Sequence, residues 1–154
     1  MTEPRKMTEF QMKVAKAIME PFSKWNAKRF LASNGEKMAT FGGRDICVVT
    51  MKGAKTGKTR QVPLMYVPHN QGVILVASLG GAPKHPTWYY NLVAHPDIEV
   101  HAKGATLKLH AREASPEEKA EVWPVCCKHY PDYQVYQDRS TRDIPVFICE
   151  PRGE

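Results

Sequence analysis

Nine consecutive residues, 52 to 60, have the composition of an anion-binding turn. The stretch reads KGAKTGKTR and contains four Lys or Arg, two Gly and no acidic residue. Glycines allow successive backbone N–H groups to converge on an anion, and Lys55, Lys58 and Arg60 add full positive charges. Phosphate is the natural ligand of such a turn, although a solvated hairpin tip has the same composition.

The Gly57-Lys58-Thr59 step is similar to a nucleoside-triphosphate P-loop, but the spacing differs. That motif has four residues between its glycines, whereas three separate Gly53 from Gly57. A P-loop also runs into a helix, and residues 60–67 instead include a proline and alternate like a strand. We therefore expect a basic glycine turn between two strands.

A second group of candidate residues is aromatic. Trp88, Tyr89, Tyr90 and Asn91 are consecutive and follow a loop at 78–84. Flat side chains with hydrogen-bonding groups suit the binding of a ring system, and they suit the anchoring of a hydrophobic core equally well. These residues alone leave both interpretations open.

Three further tyrosines, Tyr130, Tyr133 and Tyr136, are spaced three residues apart. On a helix this spacing places the rings on nearly one face. Phenols so arranged can clamp an apolar planar substrate and offer it a proton.

Hydrolytic chemistry is poorly supported by the sequence. It has no nucleophile elbow and no paired carboxylates in a glycosidase-like setting. The four cysteines form no CxxC pattern and the six histidines are scattered, so we expect buried thiols and no metal. Hydride transfer fits better, because a cofactor then performs the chemistry while the protein supplies orientation and a water-poor pocket.

Charge distribution narrows the class of partner. The net charge is +6, and residues 1–60 carry 13 Lys or Arg against 5 Asp or Glu. Small basic domains bind nucleic acid, anionic membrane surfaces or phosphorylated small molecules. No aromatic residue interleaves with the lysines of 52–60, as it does in many single-strand binders. We therefore expect a small anionic ligand and no nucleic acid.

The N-terminal segment is expected to be helical and cytoplasmic. It begins with charged residues, and no stretch approaches the ~20 apolar residues of a spanning helix, so neither a secretory signal nor a membrane span is predicted. Apolar residues recur at helical spacing over 8–32, with a kink expected at Pro21. This amphipathic helix either docks on the core or makes a peripheral contact with the inner face of the cell membrane.

The remaining sequence predicts an α+β domain with about six mostly antiparallel strands and flanking helices. We expect a helical segment at 1–40 and a barrel domain at 41–154, since closing the sheet would remove its edges. The first three strands are predicted to form a meander. The predicted strands are 45–51, 60–67, 73–78, 98–102, 105–111 and 144–149, and the predicted helices are 86–93 and 115–129.

Four motifs in this order resemble the deazaflavin-dependent nitroreductase family, whose members are split β-barrel oxidoreductases that use coenzyme F-420. The resemblance spans Ile46 to Pro151. Its motifs are the turn 53–60 with Pro63-Leu64, the segment Ala77 to Gly81, the segment Pro86 to Pro96, and the tyrosine run 130–136 leading to 144–146.

The resemblance implies a split β-barrel of the FMN-binding type and a set of site residues. Cofactor contacts carried over are Lys52, Ala54, Lys55, Thr56, Gly57, Lys58, Thr59, Arg60, Pro63, Ala77, Ser78, Trp88, Tyr89 and Asn91. Tyr130, Tyr133 and Ser78 would be catalytic, and Tyr130, Tyr133 and Tyr136 would bind the acceptor. The chain departs from its relatives at Ala54 and Leu79, where arginine and lysine are common, and Lys52 or Lys84 can supply the missing charge.

The resulting functional hypothesis is hydride transfer from reduced coenzyme F-420 to a quinone, an enone or a nitro-aromatic compound. An oxidoreductase that holds FMN on the same barrel is the first alternative. A non-catalytic protein that carries the cofactor or binds a membrane is the second.

Overall fold

Eight antiparallel strands and three α-helices make up the part of the chain that the structure describes. The structure is a computed structural model, and it describes residues 40–41 and 44–152. The helix predicted at 8–32 lies outside these residues. The strands are β1 Thr40–Phe41, β2 Arg44–Lys52, β3 Thr59–Met65, β4 Pro68–His69, β5 Gly72–Val76, β6 Asp97–Ala102, β7 Ala105–Glu113 and β8 Val146–Pro151; the helices are α1 Thr87–Ala94, α2 Pro116–His129 and α3 Asp132–Arg139.

Strand β2 is an interior strand of the sheet. It pairs with β3 on one side and with β6 on the other, and the order continues through β7, β8, β5 and β4. Its residues Ile46, Cys47, Val48 and Val49 are all buried, as expected of a β-branched apolar run with neighbours on both sides. The strand predicted at 45–51 is thereby confirmed.

The sheet curls until its two ends meet at Tyr66 and Val67. The Tyr66 N–H donates to the carbonyl of Asp45 in β2 at 3.0 Å, and the Val67 carbonyl accepts from the N–H of Ile74 in β5 at 2.9 Å. A strand that changes partners in this way is a usual means of turning a barrel corner. The predicted barrel is confirmed.

The predicted meander is wrong in its pairing. Residues 60–67 do not form one strand between β2 and β5, because β3 pairs with β2 only as far as Met65. The two-residue strand β4 then pairs with β5, whose other neighbour is β8. The curvature of the sheet carries the chain away from β2 before it reaches β5, so one flat ladder cannot serve both.

Two hydrophobic clusters fill the fold. The first lies between the sheet and α1 and includes Trp88, Leu92, Met51 and Phe147. The second lies under α2 and α3 and includes Val122, Cys126, Tyr133 and Ile144. The helix α1 therefore covers one side of the curled sheet, and α2 and α3 cover the other. The predicted aromatic group at 88–91 lies on α1, and the predicted tyrosines lie on α3 or directly before it.

Local signals define the helix starts. Ser115 caps α2, since its hydroxyl accepts from the N–H of Glu118 while the Glu118 carboxylate accepts from the N–H of Ser115. Pro86 precedes α1, where its missing N–H costs nothing. Tyr130 lies between α2 and α3 rather than within a helix, so the three tyrosines do not form the single helical face that their spacing predicted.

Candidate functional site

The basic turn joins β2 to β3 and has a defined backbone conformation. The N–H of Gly53 donates to the carbonyl of Lys58 at 2.8 Å, and the N–H of Gly57 donates to the carbonyl of Gly53 at 2.9 Å. The N–H of Lys58 also donates to the Thr56 hydroxyl at 3.2 Å. Gly57 has φ +67°, a conformation that favours glycine. The hairpin predicted from the sequence is therefore present, and its shape is fixed by its own hydrogen bonds.

Its charged side chains are available to a ligand. Lys52, Lys55, Lys58 and Arg60 are all exposed. None of them forms a salt bridge with a carboxylate of the residues that the structure describes. A tight turn with four such cations creates a positive potential at this end of the barrel.

Asn91 attaches the turn to α1. Its side-chain oxygen accepts a hydrogen bond from the N–H of Ala54 at 2.9 Å, and its amide nitrogen donates to the sulfur of Met51 at 3.7 Å. Asn91 is buried. The structure thus brings together two groups that were selected separately from the sequence, the basic turn and the segment 88–91.

The aromatic residues of α1 divide between core and site. Trp88 is 8% exposed and packs against Phe147 with ring centroids 6.0 Å apart, so it serves the core. Tyr89 is half-buried and stacks on His85, with ring centroids 4.1 Å apart and planes 22° apart. Tyr90 is exposed. Of the three, Tyr89 and Tyr90 lie where a ligand can reach them.

The loop after β5 has an unusual backbone conformation directly after Ser78. Ala77 and Ser78 are buried, and the next three residues, Leu79, Gly80 and Gly81, have φ of +44°, +64° and +83°. Leu79 is a branched residue in a region that side chains seldom adopt. A conformation of this kind persists only when the surrounding structure fixes it.

Arg142, which is not among the predicted site residues, fixes this loop. One terminal guanidinium nitrogen, Nη2, donates to the carbonyls of Ala77 and Ser78, both at 2.9 Å. Nε donates to the carbonyl of Ala82 at 3.0 Å, and Nη1 lies 3.1 Å from Nδ1 of His85. Burial lowers the pKa of Arg142. No local pattern marks this arginine, because its partners are about 60 residues earlier in the chain.

The tyrosines lie beside the Ser78 loop. A Cβ on Gly81 would lie 2.8 Å from the carbonyl oxygen of Tyr136, so α3 packs directly on the loop. The hydroxyl groups of Tyr130 and Tyr136 lie 3.0 Å apart. Tyr133 is 5% exposed and belongs to the second cluster. Burial is the main cause that raises the pKa of both Tyr130 and Tyr133, so these phenols stay protonated at neutral pH.

These elements form a continuous arrangement. The basic turn is bonded to α1, α1 contacts His85, His85 contacts Arg142, and Arg142 holds the loop that packs on α3. Pro63 lies in β3 opposite Val48, at the strand that leads away from the turn. An anionic group and a planar ring can therefore be held by neighbouring parts of one fold.

Within the described ranges no group of three or more His, Cys, Asp or Glu is arranged to hold a metal, and no helix is long and apolar enough to span a membrane.

A curled antiparallel barrel with helices on both faces is the split β-barrel fold. The family model described as F420H(2)-dependent quinone reductase matches residues 23–151. The chain belongs to this family of oxidoreductases.

Individual proteins agree with this assignment. The chain is 34% identical over 103 residues to the F420H(2)-dependent quinone reductase Rv1261c of Mycobacterium tuberculosis, an alignment that covers 65% of this chain and 69% of that one. It is 45% identical to the solved structure described as F420-H2 Dependent Reductase (FDR-A), with a TM-score of 0.64 over 68% of this chain and 93% of the other. A structure described as a domain-swapped dimer is 40% identical, with a TM-score of 0.68 and coverage of 82% and 96%.

Proposed function

We propose that this protein is a reductase that transfers a hydride from reduced coenzyme F-420 to a quinone. The observation that carries the proposal is the hydrogen bond between the Ala54 N–H and Asn91, which joins the basic turn to a helix with accessible aromatic side chains. The cations of this turn form no salt bridge with a carboxylate of the described residues. That combination suits a ligand with an anionic tail and a planar ring. The relatives that are F420H(2)-dependent quinone reductases support the same cofactor and acceptor.

The tail of the cofactor would be held by the turn. It carries a phosphodiester and glutamates, and Lys55, Lys58 and Arg60 are exposed and unpaired by described carboxylates. The N–H groups of the turn and the positive φ of Gly57 add the backbone part of the cradle. Contacts from Lys52, Thr56 and Thr59 stay predictions of the same site.

The ring would lie between α1 and the Ser78 loop. When bound, the reduced deazaflavin supplies a hydride, and the quinone that accepts it also takes up a proton at a carbonyl oxygen to give the hydroquinone. Tyr130, which is partly exposed, is the group that would orient that oxygen or hold the proton. Ser78 and Tyr133 are both buried and would need a movement of the site to approach it. Enones and nitro-aromatic compounds are further acceptors of the same hydride.

The test is a binding titration that follows the absorbance and fluorescence of coenzyme F-420. Lys55→Gln with Arg60→Gln removes two turn charges, and we expect cofactor affinity to fall at least tenfold. Lys108→Gln with Lys128→Gln is the matched control, because it removes the same charge from exposed residues on β7 and α2. Equal affinity of the folded turn variant and the control would refute the proposal.

Two other outcomes would assign the protein a different function. Saturable binding of FMN, together with no binding of coenzyme F-420, would assign the turn to the FMN phosphate. Tight binding of reduced coenzyme F-420, with no oxidation by any quinone, enone or nitro-aromatic compound, would indicate a carrier. Stopped-flow absorbance after an acceptor is added separates the carrier from the reductase.

We further propose a cytoplasmic protein whose segment 1–40 is distinct from the barrel at 41–154. Contact of the amphipathic stretch 8–32 with the inner face of the cell membrane would bring the site close to apolar quinones. Sedimentation with anionic vesicles, before and after truncation of residues 1–40, tests this contact. Equal sedimentation of both proteins would exclude it.

A further inference from the structure

His85 and Arg142 form a pair that the proposed reaction leaves without a role. The guanidinium of Arg142 uses all three nitrogens on one loop, through the carbonyls of Ala77, Ser78 and Ala82 and the imidazole of His85. Among the described residues no carboxylate forms a salt bridge with it. The charge is therefore solvated by carbonyls and a neutral ring.

The contact with Arg142 determines where His85 carries its proton. A guanidinium has only N–H donors, so Nδ1 of His85, 3.1 Å from Nη1, must be the acceptor. The proton of the neutral imidazole is then on Nε2. Burial lowers the pKa of His85, the charge of Arg142 lowers it further, and the carboxylate of Glu113 opposes both. The ring is accordingly neutral at pH 7.

The orientation of the ring is fixed as well. His85 stacks on Tyr89 with ring centroids 4.1 Å apart and makes a T-shaped contact with Tyr90 with ring centroids 6.0 Å apart. Tyr89 in turn packs on Phe147 of the core, with ring centroids 5.6 Å apart. The imidazole is thus held through its edge by Arg142 and through its face by a core-anchored tyrosine. Because the ring is already fixed, it can donate a hydrogen bond to a ligand without the entropy cost of immobilising its side chain on binding.

The other ring nitrogen, Nε2, is not engaged by the contact with Arg142. The hydrogen bonds of the described residues give His85 one partner, at Nδ1, and none at Nε2. The side chain is half-exposed and lies between α1 and the loop of Ser78, the two elements proposed to flank the cofactor ring. A fixed N–H donor at this place suits a ligand with a carbonyl oxygen or an anionic ring nitrogen.

We propose that His85 is a ligand-binding residue that donates a hydrogen bond from Nε2 to the electron-rich edge of a bound planar ring, and that Arg142 is the positioning residue that fixes its tautomer. The inference rests on the proposed function, because the ring is either the deazaflavin or the quinone. Both present carbonyl oxygens, and the experiment separates them.

The first measurement uses the wild-type protein without ligand. Long-range proton–nitrogen correlation NMR of the histidine rings reports the tautomer directly. We expect His85 to be neutral with its proton on Nε2. In Arg142→Met the loss of the guanidinium charge should raise the pKa of His85 and mix the two tautomers, while Arg142→Lys should restore part of the shift. A proton on Nδ1 in the wild type would overturn the inference without any variant.

The second measurement compares two substitutions of His85. His85→Phe keeps a ring on Tyr89 but has no donor, whereas His85→Gln places an amide N–H close to the original Nε2. We expect His85→Phe to weaken one ligand about threefold to tenfold and His85→Gln to recover most of the loss. A changed dissociation constant for coenzyme F-420 assigns the bond to the cofactor, and a changed KM for the quinone alone assigns it to the acceptor.

The outcomes distinguish this inference from the function on which it rests. A wild-type protein that binds no coenzyme F-420 would overturn both. A wild-type protein that binds it normally, together with a His85→Phe variant that matches it for cofactor and quinone alike, would overturn the role of His85 and leave the proposed function intact.

Discussion

The hydroxyl groups of Tyr130 and Tyr136 lie 3.0 Å apart, so the two phenols share a hydrogen bond. Tyr130 belongs to the turn after α2 and Tyr136 to α3, and the bond therefore ties the two helices at the point where α3 meets the Ser78 loop. Burial is the main cause of the raised pKa of Tyr130, and the bond to Tyr136 adds to it.

Replacement of Tyr136 by phenylalanine should lower the pKa of Tyr130 toward its ordinary value of about 10. The folded pKa lies above the unfolded one, so this tyrosine's contribution to stability is complete below about pH 10 and is lost as the pH rises further. Loss of the bond should also lower the free energy of unfolding by about 1 kcal/mol at neutral pH. Ultraviolet difference titration and urea unfolding measure both effects.

Tyr90→Phe is the control for this prediction. Tyr90 lies on α1 and is 53% exposed, and it makes no contact with the tyrosine pair. Its replacement should leave the titration of Tyr130 unchanged. If Tyr136→Phe also left that titration unchanged, the shared bond would be absent in solution.

Much of the fold was predictable because its signals are local. The β-branched run of β2 and the Ser115 capping box need only neighbouring residues, and both elements form where they were expected. The change of partner at Tyr66 and Val67 depends on the curvature of the whole sheet, so no window of sequence contains it. Arg142 is hidden for the same reason, since its partners belong to a loop that folding brings back to it.

The sequence motifs of the site could be predicted, but the contacts that their side chains make could not. Asn91 was selected for its place beside a ring, whereas the structure gives its side chain the N–H of Ala54 as a partner. Trp88 was selected as a ring contact and is part of the core. Similarity to a family identifies such residues as members of the site. Only the structure shows which atoms they contact.

Gly81 should tolerate no side chain. It has φ +83°, and an added Cβ would lie 2.8 Å from the carbonyl oxygen and 3.2 Å from Cα of Tyr136. Gly81→Ala should therefore cost the left-handed backbone penalty of about 1–2 kcal/mol and a steric cost of about 1–3 kcal/mol more. Chemical unfolding of the variant measures the sum.

Gly57→Ala is the matched comparison for this substitution. Gly57 also has a positive φ, +67°, but nothing lies within 4 Å of its added Cβ. Its replacement should cost only the backbone penalty, so the stability of this variant should clearly exceed that of Gly81→Ala. Equal losses would show that α3 does not press on the loop.

Asn91 should hold the basic turn against α1. Asn91→Leu keeps the size of the side chain but leaves the N–H of Ala54 without its acceptor, and we expect a cost of about 1 kcal/mol because water can reach this half-buried amide. Hydrogen exchange of the Ala54 amide should accelerate, while the amides of Cys47 to Val49, in the strand β2 that precedes the turn, should change only with global stability.

Asn91→Asp separates the hydrogen bond from the packing. It retains an oxygen acceptor for Ala54, so protection of that amide should survive even though a buried carboxylate lowers overall stability. Rapid exchange of Ala54 in Asn91→Asp, or unchanged exchange in Asn91→Leu, would contradict the assigned contact.

The four thiols should differ in their reaction with a thiol reagent. Cys47, Cys126 and Cys149 are buried, and burial raises the pKa of Cys47 and of Cys126 to about 12 and also raises that of Cys149. Cys127 is partly exposed, with a pKa raised by the same cause. Because the thiolate is the reactive form, native protein at pH 8 should be modified only at Cys127, and slowly. Cys127→Ser should abolish the native reaction, and unfolding should expose the remaining three. Rapid modification of more than one thiol in native protein would show that the barrel interior is open to solvent.

The raised pKa values of Cys47 and Cys126 also make the stability of the fold depend on pH. The contribution of these two thiols to the free energy of unfolding is complete below about pH 9 and is lost as the pH rises toward 12.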